Sequence, residues 1–256
     1  MKYTVHFFRE SFPAWKKKRD PIMVRFLYRP ISFYFSALFA NLGLSGNDVS
    51  NISTVVGIIA CAVLLIPNHI AGLLGALLIN FWIILDCTDG NIARSVKKLA
   101  YGEFIDATSS YILMALLFNV LGFRSYYTSG LLFVGNPIII FIGALASSFD
   151  PLMRLVYQKY VVVSDKMNIH AEVNHDPTKV SKIDRIRIFV DLNMSVGGFL
   201  PIVLLLGIAF GFLDIIVIIW AFYLGAECTV TILYLLIKAT RYGKSHKEEI
   251  NESTNS

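Results

Sequence analysis

Charge is scarce in this sequence. Only 16% of its 256 residues are Asp, Glu, Lys or Arg, while 55% are hydrophobic; a soluble domain carries about 25% charged residues. That deficit, with a mean hydropathy of +0.62, excludes an ordinary water-soluble globule. Cysteine is also sparse. Cys61, Cys87 and Cys228 all lie in or beside apolar stretches, and their spacing suits neither a zinc site nor a disulfide framework, so buried free thiols are expected. The first twenty residues lack the long apolar core of a secretory signal and instead carry Lys16, Lys17, Lys18 and Arg19, so no such signal is expected. No internal repeat is visible, which removes a mark of many transporters. His170 and His175 lack metal-ligand spacing.

What the sequence does have is long apolar blocks, long enough to cross a bilayer core. Six membrane spans are predicted near 48–66, 70–89, 105–122, 130–153, 196–212 and 214–237. Before them, Pro21 to Leu44 mixes Arg25 and Arg29 with aromatic and aliphatic residues. This is the pattern of an amphipathic helix lying in the membrane interface, with a short seventh span as the alternative. The expected fold is therefore an all-α integral membrane protein of six transmembrane helices preceded by an interfacial helix. Residues 1–20 are expected to be a cytoplasmic segment, 21–240 the membrane domain and 241–256 a disordered cytoplasmic tail, polar and without apolar periodicity.

Basic residues set the expected orientation. Eight precede the first span, three (Arg94, Lys97, Lys98) follow the second, seven follow the fourth and four lie in the tail; the opposite side holds only Arg124. The positive-inside rule then makes both termini cytoplasmic. A multi-pass protein of the bacterial inner membrane is expected. Topology and anionic headgroups account for the net charge of +5, so no nucleic-acid partner is needed.

Acidic residues in or beside a span are costly, roughly 2.5–3.5 kcal/mol for Asp at a helix centre. The second span nevertheless ends with Asp86, Asp89, Gly90, Ala93 and Arg94. Helical geometry sets Asp86, Asp89, Gly90 and Ala93 on one face. The third span opens with Gly102, Glu103 and Asp106, and because the two spans are antiparallel, Asp106 can face Asp86 and Asp89. Three converging carboxylates repel unless a cation lies between them. Oxygen-only ligands favour hard ions such as Mg²⁺, Mn²⁺ or Ca²⁺, and Mg²⁺ commonly shares its coordination with a substrate phosphate. Gly90, Ala93 and Gly102 leave room for a nucleotide, with Arg94 as a counter-charge. The alternative is a set of ordinary interfacial acids paired with Arg94 and Lys97.

These residues resemble the signature of the CDP-alcohol phosphotransferases, Asp-x2-Asp-Gly-x2-Ala-Arg-x8-Gly-x3-Asp-x3-Asp. Asp86, Asp89, Gly90, Ala93, Arg94, Gly102 and Asp106 match it. Arg29 to Ser32 resembles part of the family's first helix, and Ser45 to Ser50 its Pro-Asn-x-Val-Thr opening of the first span, with Gly46 in place of Pro. The resemblance covers residues 20–240. It implies transfer of a substituted phosphoryl group from a CDP-linked donor to an alcohol acceptor, with release of CMP, in phospholipid or lipid-linked glycan synthesis. It implies Mg²⁺ or Mn²⁺ held by Asp86, Asp89 and Asp106, a CDP-donor bound by Gly90, Ala93, Arg94 and Gly102, contact with membrane lipid, and room for a homodimer.

Two departures matter. The spacer between Arg94 and Gly102 has seven residues, one fewer than the signature. The fourth aspartate, the family's proposed base, is Ser110, which is neither a carboxylate base nor a strong metal ligand. Three readings follow: activity with a base supplied elsewhere, activity with a single metal, or a degenerate binding or scaffold protein. Candidate replacements are Asp150, beside Arg154, and Glu227. Asp184, Arg185, Arg187 and Asp191 form either a solvated headgroup-facing stretch or a phosphate pocket. An ion-coupled transporter using Asp86, Asp89, Asp106 and Glu227 is the rival from another class, although three of these acids cluster at one membrane edge.

Overall fold

The computed structural model describes residues 2–128, 130–167 and 182–254, with side chains described except for 182–184 and 243–254. All regular structure among the described residues is helical. The helices are α1 (Val5–Glu10), α2 (Ala14–Arg19), α3 (Arg29–Asn41), α4 (Gly46–Leu64), α5 (His69–Ser95), α6 (Gly102–Tyr127), α7 (Ile138–Lys166), α8 (Lys182–Met194), α9 (Leu200–Phe210) and α10 (Leu213–Thr254). A π-helical turn, Val24–Tyr28, runs directly into α3.

Five helices are long and apolar enough to cross a membrane: α4, α5, α6, α7 and the Leu213–Tyr242 part of α10. The span expected at 196–212 differs. A turn containing Gly197 and Gly198 precedes α9, and the Phe199 N–H donates to the Asn193 carbonyl at 2.8 Å. At its far end Gly211 takes a left-handed conformation, φ +76°. Between these breaks α9 has 11 residues, about 16 Å at 1.5 Å per residue. Helix α10 continues to Thr254. Extending an existing helix through Lys and Glu avoids the cost of nucleation.

The bundle core gathers Trp82 and Ile83 of α5, Leu117, Phe118 and Leu121 of α6, Ile139 of α7, Leu204 of α9 and Val217 of α10. Small residues let α6 and α7 cross closely. A Cβ on Gly122 would lie 2.8 Å from the Ile139 carbonyl oxygen, and one on Gly143 would collide with the Phe118 carbonyl. The outward faces are apolar, with Val55, Ile59, Leu74, Phe141, Phe222 and Leu233 exposed, as expected of a surface solvated by lipid.

Helix α3 is turned polar side inward. It buries Arg29, Ser32 and Ser36 while exposing Tyr34 and Leu38, and it packs on α5. The N-terminal segment joins this packing through Phe8, which is buried with Phe33, Val49, Leu85 and Ile92.

Polar anchors fix the end of the bundle away from the acidic residues. Arg124, 2% exposed, donates to the carbonyls of Leu64, Ile66 and Asn68 at 2.8–3.0 Å. It thereby satisfies backbone acceptors at and beyond the end of α4, which have no partner within the helix. Asp214, at the start of α10, accepts from the N–H groups of Leu131, Leu132 and Phe133. The α4–α5 turn is thus tied to the end of α6, and the start of α10 to the α6–α7 connection.

Candidate active site

At the other end of the bundle, the starts of α4 and α6 meet the last turns of α5. Ser45 and Asp48 cap α4 reciprocally: Ser45 Oγ accepts from the Asp48 N–H at 3.3 Å, and Asp48 Oδ2 accepts from the Ser45 N–H at 2.8 Å. Gly46 lies against α5, where a Cβ would sit 3.0 Å from the Asp89 carbonyl oxygen and 3.2 Å from Ala93 Cβ. Glycine in place of the signature's proline therefore accompanies close packing of the two helices. One turn further, Ser50 Oγ donates to Asp89 Oδ2 at 2.6 Å, and both residues are buried. In the sequence, Ser50 stood out only as the last residue of the matched 45–50 stretch.

Asp86 lies one turn before Asp89 and is half-buried; Asp106, in the first turns of α6, is exposed. The side chains of Asp86 and Asp106 lie within hydrogen-bonding reach of each other, and both act electrostatically on Asp89. Carboxylates in contact must share a proton or a cation. Among the described residues, no three His, Cys, Asp or Glu side chains are gathered into a ready-made metal cage; Asp89 is turned towards Ser50.

Two cavities flank these carboxylates. The first, about 410 Å³, is bounded by Asp89, Gly90, Ala93, Arg94, Gly102 and Asp106. All four residues expected to meet the donor thus line one cleft with two of the three aspartates. Asn47 and Lys98 also border it, and neither was singled out from the sequence. The second cavity, about 260 Å³, contains Asp86 and Ser110 with Asp150, Arg154, Asp191 and Glu227 in its wall. The expected common face is therefore divided. Asp86 opens to the second cavity, while Asp89, Gly90 and Ala93 open to the first.

The cations near the first cleft are not spent on its aspartates. Lys98 pairs with Glu103 at 3.2 Å. Arg94 lies over Gly90 and stands 6.0 Å from the Phe12 ring. Among the described residues, no ion pair joins Arg94 or Lys97 to an aspartate.

A buried network that the sequence did not reveal holds the end of α5. Arg29 donates to both carboxylate oxygens of Asp20 at 2.9 and 3.0 Å, and to the Cys87 carbonyl and Asn91 Oδ1, each at 3.0 Å. Asn91 in turn donates to Ser32 and Ser36. Arg29 and its partners on α5 lie more than 50 residues apart in the chain, so no local pattern announces those contacts. Tyr28, beside this network, donates to Asn80 Oδ1. Burial, reinforced by Cys87, pushes its phenol above the ordinary range, which keeps it a donor.

In the second cavity, Ser110 Oγ donates to the Ala107 carbonyl within its own helix. Both candidate replacements for the missing aspartate border the same space. Asp150 accepts from Arg154 Nε at 2.7 Å, and Glu227 lies beside Tyr223 in the cavity wall. Asp191 joins them, with Arg187 at 3.7 Å. Arg185 instead lines a separate cleft with Lys18 and Arg25. The side chain of Asp184, and all of His170 and His175, lie outside the described residues. Neither models of known protein families nor the curated proteins contain a match to this chain.

Proposed function

We propose that the protein is a membrane CDP-alcohol phosphotransferase, moving a substituted phosphoryl group from a CDP-linked donor to an alcohol and releasing CMP. The observation that carries this reading is a carboxylate cluster standing between two cavities. One side has small residues and two cations suited to a nucleotide diphosphate; the other is a smaller chamber suited to an acceptor. A transporter would need a polar route through the span, whereas Asp86, Asp89 and Asp106 gather at one end of the bundle.

In the reaction, the acceptor oxygen bonds to the donor phosphorus adjoining the acceptor chamber. The phosphorus–oxygen bond to CMP breaks, CMP leaves with that electron pair, and the acceptor proton passes to a carboxylate. Asp150 is held by Arg154, so Glu227 is the proposed substitute for the carboxylate absent at Ser110. Asp86, Asp89 and Asp106 would hold Mg²⁺ or Mn²⁺, because the set offers only oxygen and two of its members are already in contact. Such an ion supplies charge neutralisation to the diphosphate and to departing CMP. Arg94 and Lys98 are placed to meet donor phosphate oxygens, and Ser50 to orient Asp89.

The membrane arrangement belongs to the same proposal. Helix α3 lies in the interface, α9 completes a sixth crossing, and both termini face the cytoplasm of a bacterial inner membrane. The deciding assay is CMP release by purified protein from CDP-diacylglycerol and CDP-alcohols, against a panel of alcohol acceptors with Mg²⁺ or Mn²⁺. We expect metal-dependent CMP release that an excess of EDTA abolishes. Undiminished turnover in EDTA would reject the metal assignment. No CMP from any donor–acceptor pair, with folded protein, would favour the degenerate scaffold.

A further inference from the structure

We infer that the second cavity selects a small amino-alcohol, its ammonium held among carboxylates and aromatic rings and its hydroxyl directed towards Asp86. The identification of the cavity with an acceptor rests on the function proposed above, but the chemistry of its wall can be tested without it. Three aromatic side chains border the space: Trp82, Trp220 and Tyr223. Both indole N–H groups are already used, Trp82 on Ser109 Oγ at 3.2 Å and Trp220 on the Met194 carbonyl at 2.9 Å. The rings therefore offer the cavity carbon and π surface rather than donors, a surface that attracts cations.

The charged groups favour the same ligand. With Asp86 given to the metal in the proposed reaction, Asp150, Asp191 and Glu227 still face a single wall guanidinium, Arg154, which is itself committed to Asp150 at 2.7 Å and stands 4.9 Å from the Tyr111 ring centroid. Arg187 reaches Asp191 only at 3.7 Å and is itself largely exposed. A narrow chamber with low-dielectric walls and an excess of one charge concentrates ions of the opposite sign. It correspondingly repels a phosphorylated polyol, because like charges brought together suppress the wrong partner. A volume of about 260 Å³ suits a molecule of few heavy atoms rather than a second lipid. During transfer the ammonium stays unchanged: its neighbouring hydroxyl loses a proton to Glu227 and gains the phosphoryl group, while CMP departs.

Trp82 and Trp220 provide a reporter that needs neither donor nor turnover. Full-length protein in detergent is titrated separately with ethanolamine, choline, glycerol and glycerol 3-phosphate while tryptophan emission is followed. We expect a saturable change with the two ammonium compounds and none with glycerol 3-phosphate. Asp191→Asn and Glu227→Gln should each weaken that response by about tenfold. Asp191 is partly exposed, so its variant retains the fold even if the Glu227 variant does not. Absence of a saturable ammonium response, an unaltered response in Asp191→Asn, or tighter binding of glycerol 3-phosphate would each overturn the inference. CMP release measured in parallel tests the transferase reading: ammonium binding without CMP sinks that reading alone, and CMP release with only a phosphorylated acceptor sinks the inference alone.

Discussion

Each aspartate of the cluster has a different neighbour, so the residues are not interchangeable. Asp89 is buried and receives the Ser50 hydroxyl at 2.6 Å; Asp86 and Asp106 meet each other. Asp89→Asn keeps the volume but removes the charge, so the protein should insert normally while CMP release falls by about 10² or more. Glu103 borders the same cleft, yet it is largely exposed and paired with Lys98, and Glu103→Gln should change turnover little. Equal activity of the two variants in the CMP assay would make the acidic notch structural. At Ser110 the expected effect is less obvious. Its cavity already contains Asp86, Asp150 and Glu227, so Ser110→Asp adds a like charge where a substitute base is proposed. Turnover should fall, by up to about tenfold; a clear gain would show that the site lacks a base and that Glu227 is not the substitute.

At the scale of helices, the sequence was informative where periodicity and composition speak for themselves. Five long apolar helices and the meeting of Asp86 with Asp106 follow from block length and antiparallel neighbours. The division of the α5 face between two cavities does not, because it depends on where α7, α8 and α10 pack. The Arg29–Asp20 pair and the Asn91 contacts were likewise invisible, being polar groups buried by tertiary approach rather than by local pattern. Helix α9 was expected to be longer because the apolar run continues across Gly197, Gly198 and Gly211, and composition alone does not register where glycines break a helix. Glycine has a further consequence at the α6–α7 crossing. Gly143→Val would drive a side chain into the Phe118 carbonyl and force the helices apart, an overpacking cost of about 1–3 kcal/mol. Thermal unfolding in detergent should shift down by about 3–10 °C; an unchanged midpoint would contradict the close crossing.

For the whole molecule, charge distribution and helix count impose different demands, and α9 must reconcile them. Twenty-two of the 23 basic residues are expected on one side, which requires both termini there and hence an even number of crossings. The one exception, Arg124, is buried against the carbonyls of Leu64, Ile66 and Asn68, so packing accounts for its position. Five long helices alone would put the termini on opposite sides. Contacts at the two ends of α9 favour a sixth crossing. Before it, Asn193 Oδ1 accepts from the Ile22 N–H at 2.9 Å, beside the N-terminal segment. After it, Asp214 is bonded to Leu131, Leu132 and Phe133 at the opposite end of the bundle. For the proposed sixth crossing, eleven helical residues would cover only about 16 Å of a core about 30 Å thick, so the preceding turn would have to share the depth, which protein burial permits where lipid exposure would not. Leu200 and Leu204 are fully buried, in keeping with that demand. Reporter fusions distinguish the alternatives. Green fluorescent protein fused at the C-terminus should fluoresce, as it does in the cytoplasm, and alkaline phosphatase fused after Val134 should be active, as it is outside. A dark C-terminal fusion with an active phosphatase there would mean that α9 does not cross, and that the basic tail sits on the outer side against its charge.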